Sequence, residues 1–344
     1  MKQLKRYAAF SLAGIIAGGL LPAIIYGFPS RSILNGMVVG FVVAFTLAAI
    51  ENSSLTERFR RMPFLSALFL RTLIQIVVVA FYCIALMLLL RMIASGLSLT
   101  EAYQHPSSQH FLFGGDLVFI ILYALTASFL INMIRQMSRM LGQNVLLNMM
   151  IGKYSQPVEE DRIFMFIDLD ASTTLAERLG NIRFHELIDD YIYDITPAIS
   201  DAEGEIYQYV GDEVVITWKL GPRNLRDNCL DCFFSISHIM ESLAPKYQQK
   251  YGIVPGFKAG LHFGSVIAGQ IGDIKKEIVF QGDVVNTASR IKEKCHSLGA
   301  KILISRELLD ILPKETIKYK AERVGSFLLK GKEHEVELYS VAEG

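Results

Sequence analysis

The pattern of apolar positions changes character near residue 150. Before it, apolar residues run in long unbroken stretches; after it, short apolar runs alternate with amphipathic ones. Four early stretches approach the roughly 20 residues a helix needs to cross a bilayer: Tyr7–Gly27, Ile33–Ile50, Leu68–Leu90 and Leu117–Ile134. Lys2, Lys5 and Arg6 precede the first, as in a signal peptide, but the run is too long and three more follow. The expectation is a membrane α-helical N-terminal half with four spans over residues 1–134.

The last span continues into Met133, Met137, Met140, Asn144, Leu147 and Ile151, spaced alternately four and three. That is the seam of a short parallel coiled coil, or the apolar face of a helix lying along the membrane. Gly152 ends it, and Pro157 with Glu159, Glu160 and Asp161 reads as a hinge. Residues 135–160 are therefore expected to form a coupling helix and linker.

From residue 161 the period switches to that of a folded α+β domain, a mostly antiparallel sheet with covering helices. Strands are predicted at Ile163–Ile167, Ile206–Val210, Val214–Trp218, Phe257–Phe263, Glu277–Gln281 and Ala300–Ile304. Helices are predicted at Ala171–Leu179, Cys229–Tyr247 and Val285–Cys295.

Charge supports the division. The formal net charge of zero conceals about +7 in residues 1–150 and −7 in residues 151–344. An acidic folded half repels phosphate backbones, which excludes a nucleic-acid-coating role. With both termini inside, nine Lys or Arg fall in cytoplasmic segments, whereas only Arg31 and Arg91 fall outside. Topology follows that excess, so the folded half is expected in the cytoplasm of an integral inner- or plasma-membrane protein. No acidic residue lies mid-span to mark an ion path. His105, His110 and Asp116 fall in or beside the outer loop, which reads as solvated. Cys83, Cys229, Cys232 and Cys295 form no disulfide framework, and Cys229-x-x-Cys232 lacks a second pair to complete a zinc site.

Two aspartates carry the candidate chemistry. Asp168 ends the first buried strand, and Asp212 sits in the tight turn of the neighbouring hairpin. Two carboxylates at adjacent strand tips call for a cation, and oxygen ligands select Mg²⁺ or Mn²⁺. Asp170 competes with Asp168 but is expected to point away or cap the next helix. Asn286 and Arg290, four apart, leave one helix face together; an amide and a guanidinium so aimed suit a ribose oxygen and a phosphate.

In order, Phe166-Ile-Asp168-Leu-Asp-Ala-Ser172-Thr-Thr174, Val210-Gly-Asp212-Glu213, Gly282-Asp-Val-Val-Asn286-Thr-Ala-Ser-Arg290 and Leu329-Lys330-Gly-Lys332 resemble the motifs of class III adenylate and guanylate cyclases over about residues 160–341. The resemblance implies a catalytic domain at 161–344 that converts ATP to 3′,5′-cyclic AMP and pyrophosphate. It further implies two divalent cations on Asp168 and Asp212, with a carbonyl of Ile167 or Leu169 as an added ligand. Asn286 would orient the ribose, Arg290 would stabilise the α-phosphate, and Lys330 would contact the terminal phosphates. It implies a homodimer in which the aspartates of one subunit meet the Asn/Arg pair of the other. The chain departs from the pattern at the base pocket: Gln208 stands where a lysine is usual, and Val279 where Asp or Thr is usual. GTP is therefore the alternative substrate, and a nucleotide-binding receptor without turnover is the alternative role.

Overall fold

The computed structural model describes residues 11–12, 14–20, 30–51, 62–142, 145–221, 227–313 and 318–344. The chain divides into two compact units, Met1–Met140 and Leu141–Gly344.

The first unit is helical: α1 (Ser30–Glu51), α2 (Phe64–Ser95), α3 (Leu99–Gln104), α4 (Pro106–Phe113) and α5 (Asp116–Leu141). Two helical stretches, Phe64–Ser95 and Asp116–Ser138, are long and apolar enough to cross a membrane. They turn apolar side chains outward, with Leu65 74%, Phe69 71% and Phe81 64% exposed; a soluble core helix would bury such residues. The second expected span falls on α1, a 22-residue helix; among its described residues the apolar stretch is Gly36–Thr46. Much of the first, Tyr7–Gly27, lies outside the described residues. Gly14 and Gly18 pack backbone to backbone against Gly36 and Gly40: a Cβ at Gly18 would stand 2.1 Å from the Gly36 carbonyl oxygen. Only glycine permits that approach. Between α2 and α5, Asn132 Nδ2 donates to Gln75 Oε1 at 2.8 Å and to Thr72 Oγ1 at 3.2 Å, which satisfies buried polar groups across the helix pair.

The expected solvated loop is folded into α3 and α4, the former started by a Ser98–Glu101 capping box. The methionine seam is not one helix. Backbone at Gly142 has φ +100°, α5 ends at Leu141, and α6 spans Val145–Met150; Asn144 lies outside the described residues.

The second unit continues with β1 (Val158–Leu169), α7 (Ser172–Leu179), α8 (Asn181–Asp201), β2 (Glu205–Val210), β3 (Glu213–Lys219), α9 (Asn228–Ser242), α10 (Ala244–Tyr251), β4 (Phe257–Ile271), β5 (Glu277–Gln281), α11 (Asp283–Leu298), β6 (Ile302–Ser305), α12 (Arg306–Ile311), β7 (Tyr319–Phe327) and β8 (Val336–Glu343). The sheet runs β2-β3-β1-β4-β6-β8-β7, with β5 on β4. Among the described residues only β4 and β6 pair in parallel; the other pairings are antiparallel.

Strand alternation gives β1 two buried faces. Ile163, Met165, Ile167 and Leu169 join Leu187, Tyr191 and Ile195 of α8 and Phe233 and Ile236 of α9. Phe164 and Phe166 face the other way, onto Val215, Val266 and the α11 residues Val284 and Ala288. Helix α11 lies close to the sheet because Gly260 has no side chain: a Cβ there would stand 2.2 Å from the Lys292 nitrogen.

Two expectations change here. Glu159, Glu160 and Asp161 are the start of β1 rather than a hinge. Glu160 is buried and ion-paired with Lys219 and, at 2.9 Å, with Arg162, which also pairs with Glu205 at 2.9 Å. Cys229–Tyr247 is two helices, because Pro245 lacks the N–H needed to continue α9 and instead opens α10. Cys229 and Cys232 are thiols fully buried on α9, and burial pushes the Cys229 thiol up to about 12. Helices α8 and α12 and strands β7 and β8 are elements that the sequence pattern does not predict.

Candidate active site

Pairing of β1 with β3, Ile167 opposite Val214, carries Asp168 to the edge of the β2–β3 turn. That turn contains Gly211 at φ +65°, a left-handed conformation glycine adopts without strain. Asp212 follows, and its Oδ2 is buried with no hydrogen-bond partner. Burial pushes the Asp212 carboxyl up and the Asp168 charge adds to it, against the Ser172 hydroxyl. Ser172 opens α7 directly after Ala171, held at φ +52°.

Across the cluster stands Lys292 of α11. Its Nζ is 3.1 Å from Asp168 Oδ2 and 2.7 Å from Glu213 Oε2. Burial opposes its charge, but the two carboxylates prevail and raise its pKa. Burial also raises the Glu213 carboxyl, Lys292 notwithstanding. Asp170 points elsewhere: it pairs with Lys258 at 3.5 Å, and α7 has no side-chain cap. Ile167 and Leu169 have their side chains in the core, so they can offer a ligand only through main-chain carbonyls.

Among the described residues no group of three or more His, Cys, Asp or Glu is arranged to hold a metal ion. The Asp168–Asp212 pair, oxygen-only and with one orphaned carboxylate oxygen, still fits a hard divalent cation. Its remaining ligands would be carbonyls, water or substrate oxygens.

Asn286 and Arg290 occupy another face of α11. Arg290 approaches the Lys330-Gly331-Lys332 turn; a Cβ at Gly331 would stand 3.3 Å from Arg290 Nη2. Leu329 is buried beneath that turn, and Lys332 pairs with Asp283 at the start of α11, which leaves Lys330 exposed. Within one chain, then, Asp168, Asp212, Glu213 and Lys292 form one group. Asn286, Arg290 and Lys330 belong to a second.

Gln208 and Val279 are not brought to one face. A bulge between Ile206 and Gln208 pairs Gln208 with Val215, so Gln208 shares the α11 face. On β5, Phe280 contacts Tyr207 and Phe164 on that face, with ring centroids 5.0 and 5.6 Å apart. Its neighbour Val279 faces the opposite way. Sequence reasoning missed Lys292 and Glu213. Glu213 adjoins Asp212, but nothing local marks Lys292 as its partner.

Residues 154–343 match the family model of the adenylate and guanylate cyclase catalytic domain. An adenylate cyclase of Rhizobium meliloti is 36% identical over 225 residues, 65% of this chain and 62% of that protein. One from Anabaena cylindrica is 25% identical over 188 residues, 52% of this chain and 36% of that protein. The match thus spans less than two thirds of either relative. A bacterial light-regulated adenylyl cyclase of solved structure shares the fold, with TM-score 0.53 and 20% identity over 67% of this chain and 65% of the other.

Proposed function

We propose that this chain, which belongs to the adenylate and guanylate cyclase catalytic-domain family through residues 154–343, is a membrane-anchored cyclase that converts ATP to 3′,5′-cyclic AMP. The ribose 3′-oxygen attacks the α-phosphorus, and the bond to pyrophosphate breaks. The observation that carries this reading is the juxtaposition of Asp168 with a buried, partnerless Asp212 Oδ2. Two divalent cations, Mg²⁺ or Mn²⁺, would be held by Asp168 and Asp212 with a carbonyl of Ile167 or Leu169. Bound there, they supply Lewis-acid stabilisation of the 3′-oxygen and the phosphates.

The chain's own residues do the rest. Asn286 orients the ribose, Arg290 offers a preorganised positive charge to the α-phosphate, and exposed Lys330 takes the terminal phosphates. Because Asn286 and Arg290 turn away from their own aspartates, a complete site needs a second copy. A two-fold homodimer supplies two equivalent sites. Exposed Tyr209 and Val210 on β2 and Ile267, Ile271 and Ile274 on or beside β4 offer apolar surface for that contact. The outward apolar faces of α2 and α5 support anchoring in a bilayer, with the catalytic unit cytoplasmic and regulated through the spans.

GTP is the second reading, because the Gln208 amide both donates and accepts and can face either purine. Purified chain supplied with ATP or GTP and Mn²⁺ should release cyclic nucleotide and pyrophosphate in equal amounts. Asp168→Ala and Asp212→Ala should each lower turnover at least about hundredfold, some 2.7 kcal/mol. A folded dimer that yields no cyclic product would refute the reading.

A further inference from the structure

Lys292 is the cation nearest the candidate metal ligands, and its placement is constrained. Its side chain is 13% exposed, and its ammonium bridges Asp168 Oδ2 at 3.1 Å and Glu213 Oε2 at 2.7 Å. The helix that carries it is packed directly on β4, because the Lys292 backbone nitrogen sits 2.2 Å from where a Gly260 Cβ would be. Rotation of the long lysine side chain can move the ammonium without displacing the helix. Two carboxylates, Asp168 and Glu213, share this one lysine, and the Oδ2 of neighbouring Asp212 is left without a partner. A divalent cation drawn to Asp168 and Asp212 would meet an ammonium already on one of the Asp168 oxygens. Like charges so close repel strongly in a partly buried site. Glu213 gives the lysine somewhere to go, since it makes the shorter of the two contacts and keeps the charge paired after Asp168 is released.

We propose that Lys292 is a tethered counter-ion that closes the carboxylate cluster in the resting chain, and that a divalent cation enters by displacing its ammonium from Asp168 onto Glu213. The inference rests on the metal role assigned above to Asp168 and Asp212. It makes cation affinity weaker than the carboxylates alone would set, so the resting site holds a lysine rather than a metal.

The test is direct binding, without nucleotide. Full-length chain in detergent is titrated with MnCl₂, and free Mn²⁺ is read by electron paramagnetic resonance. Lys292→Gln should tighten Mn²⁺ binding about tenfold, equivalent to about 1.4 kcal/mol. Lys292→Met, close to lysine in length, should do the same, and Lys292→Arg should stay within about threefold of the parent because it keeps the charge. Lys258→Gln removes an equal charge from the neighbouring Asp170 pair and should change binding by less than about threefold, which separates occupancy from a general field. Asp212→Asn added to Lys292→Gln should abolish the gain. Unchanged or weaker binding in Lys292→Gln, with binding that still depends on Asp212, overturns the counter-ion role and leaves the metal site standing. Equal tightening in Lys292→Gln and Lys258→Gln also overturns it. No Asp212-dependent Mn²⁺ binding in any variant overturns the metal site and, with it, the counter-ion.

Discussion

Arg290 and Lys292 leave the same turn of α11 in opposite directions. The Arg290 guanidinium lies beside Gly331, where a Cβ would be 3.3 Å from Nη2, while Lys292 Nζ reaches 3.1 Å from Asp168 Oδ2. Two residues at 3.6 per turn are about 200° apart, so one helix serves two sites. One face meets the chain's own carboxylates through Lys292, and the other carries Arg290 toward Gly331.

That arrangement depends on how closely α11 sits on β4. Gly260→Ala should force α11 outward, since the new methyl would meet the Lys292 nitrogen at 2.2 Å and the Ala288 oxygen at 2.7 Å. The expected cost is about 1–3 kcal/mol of stability. Trp218 is the only tryptophan and is buried in the core of the second unit. Its fluorescence during thermal unfolding reports that unit alone.

A second outcome concerns acid. His262 on β4 is buried, 2.7 Å from Ser305 Oγ, with Glu307, Lys332 and Asp283 facing it, and burial pushes its pKa down to about 4. The unfolded chain protonates this histidine near pH 6.5, whereas the folded chain resists until about pH 4. Stability from this group is therefore complete above that upper value and is lost as pH falls toward the lower one, by roughly 3 kcal/mol. Unfolding by denaturant at pH 7 and pH 4 should show that loss in the parent and a smaller one in His262→Gln.

The parts of the site that were legible in the sequence are local. Asp168 follows an apolar run, Asp212 sits in a two-strand turn, and Asn286 and Arg290 are one helical turn apart. Lys292 was not legible, because its partner Asp168 lies 124 positions away and the two meet only once α11 packs on the sheet. The cluster Glu159-Glu160-Asp161 looked like a solvated hinge by composition. The partners that bury Glu160, Arg162 and Lys219, become neighbours only once β1 pairs with β3. The bulge at Tyr207 was equally hidden; one extra residue decides which face Gln208 occupies.

Base choice should follow from that face. Gln208→Lys replaces a group that both donates and accepts with one that only donates. Adenine N1 accepts such a donor, whereas guanine N1–H does not. The ratio of kcat/KM for ATP over GTP should favour ATP in the parent and rise about tenfold in the variant, some 1.4 kcal/mol. Side-by-side initial rates with both nucleotides check it.

The central claim is that each chain carries two half-sites completed by a partner, and subunit mixing tests it most directly. Asp168→Ala and Arg290→Ala chains should each be inactive as homodimers. Mixed under conditions of proven subunit exchange, they form about half heterodimers, each with one intact site, so the expected recovery is up to about a quarter of parent activity. No recovery after proven exchange would contradict a site built from two chains.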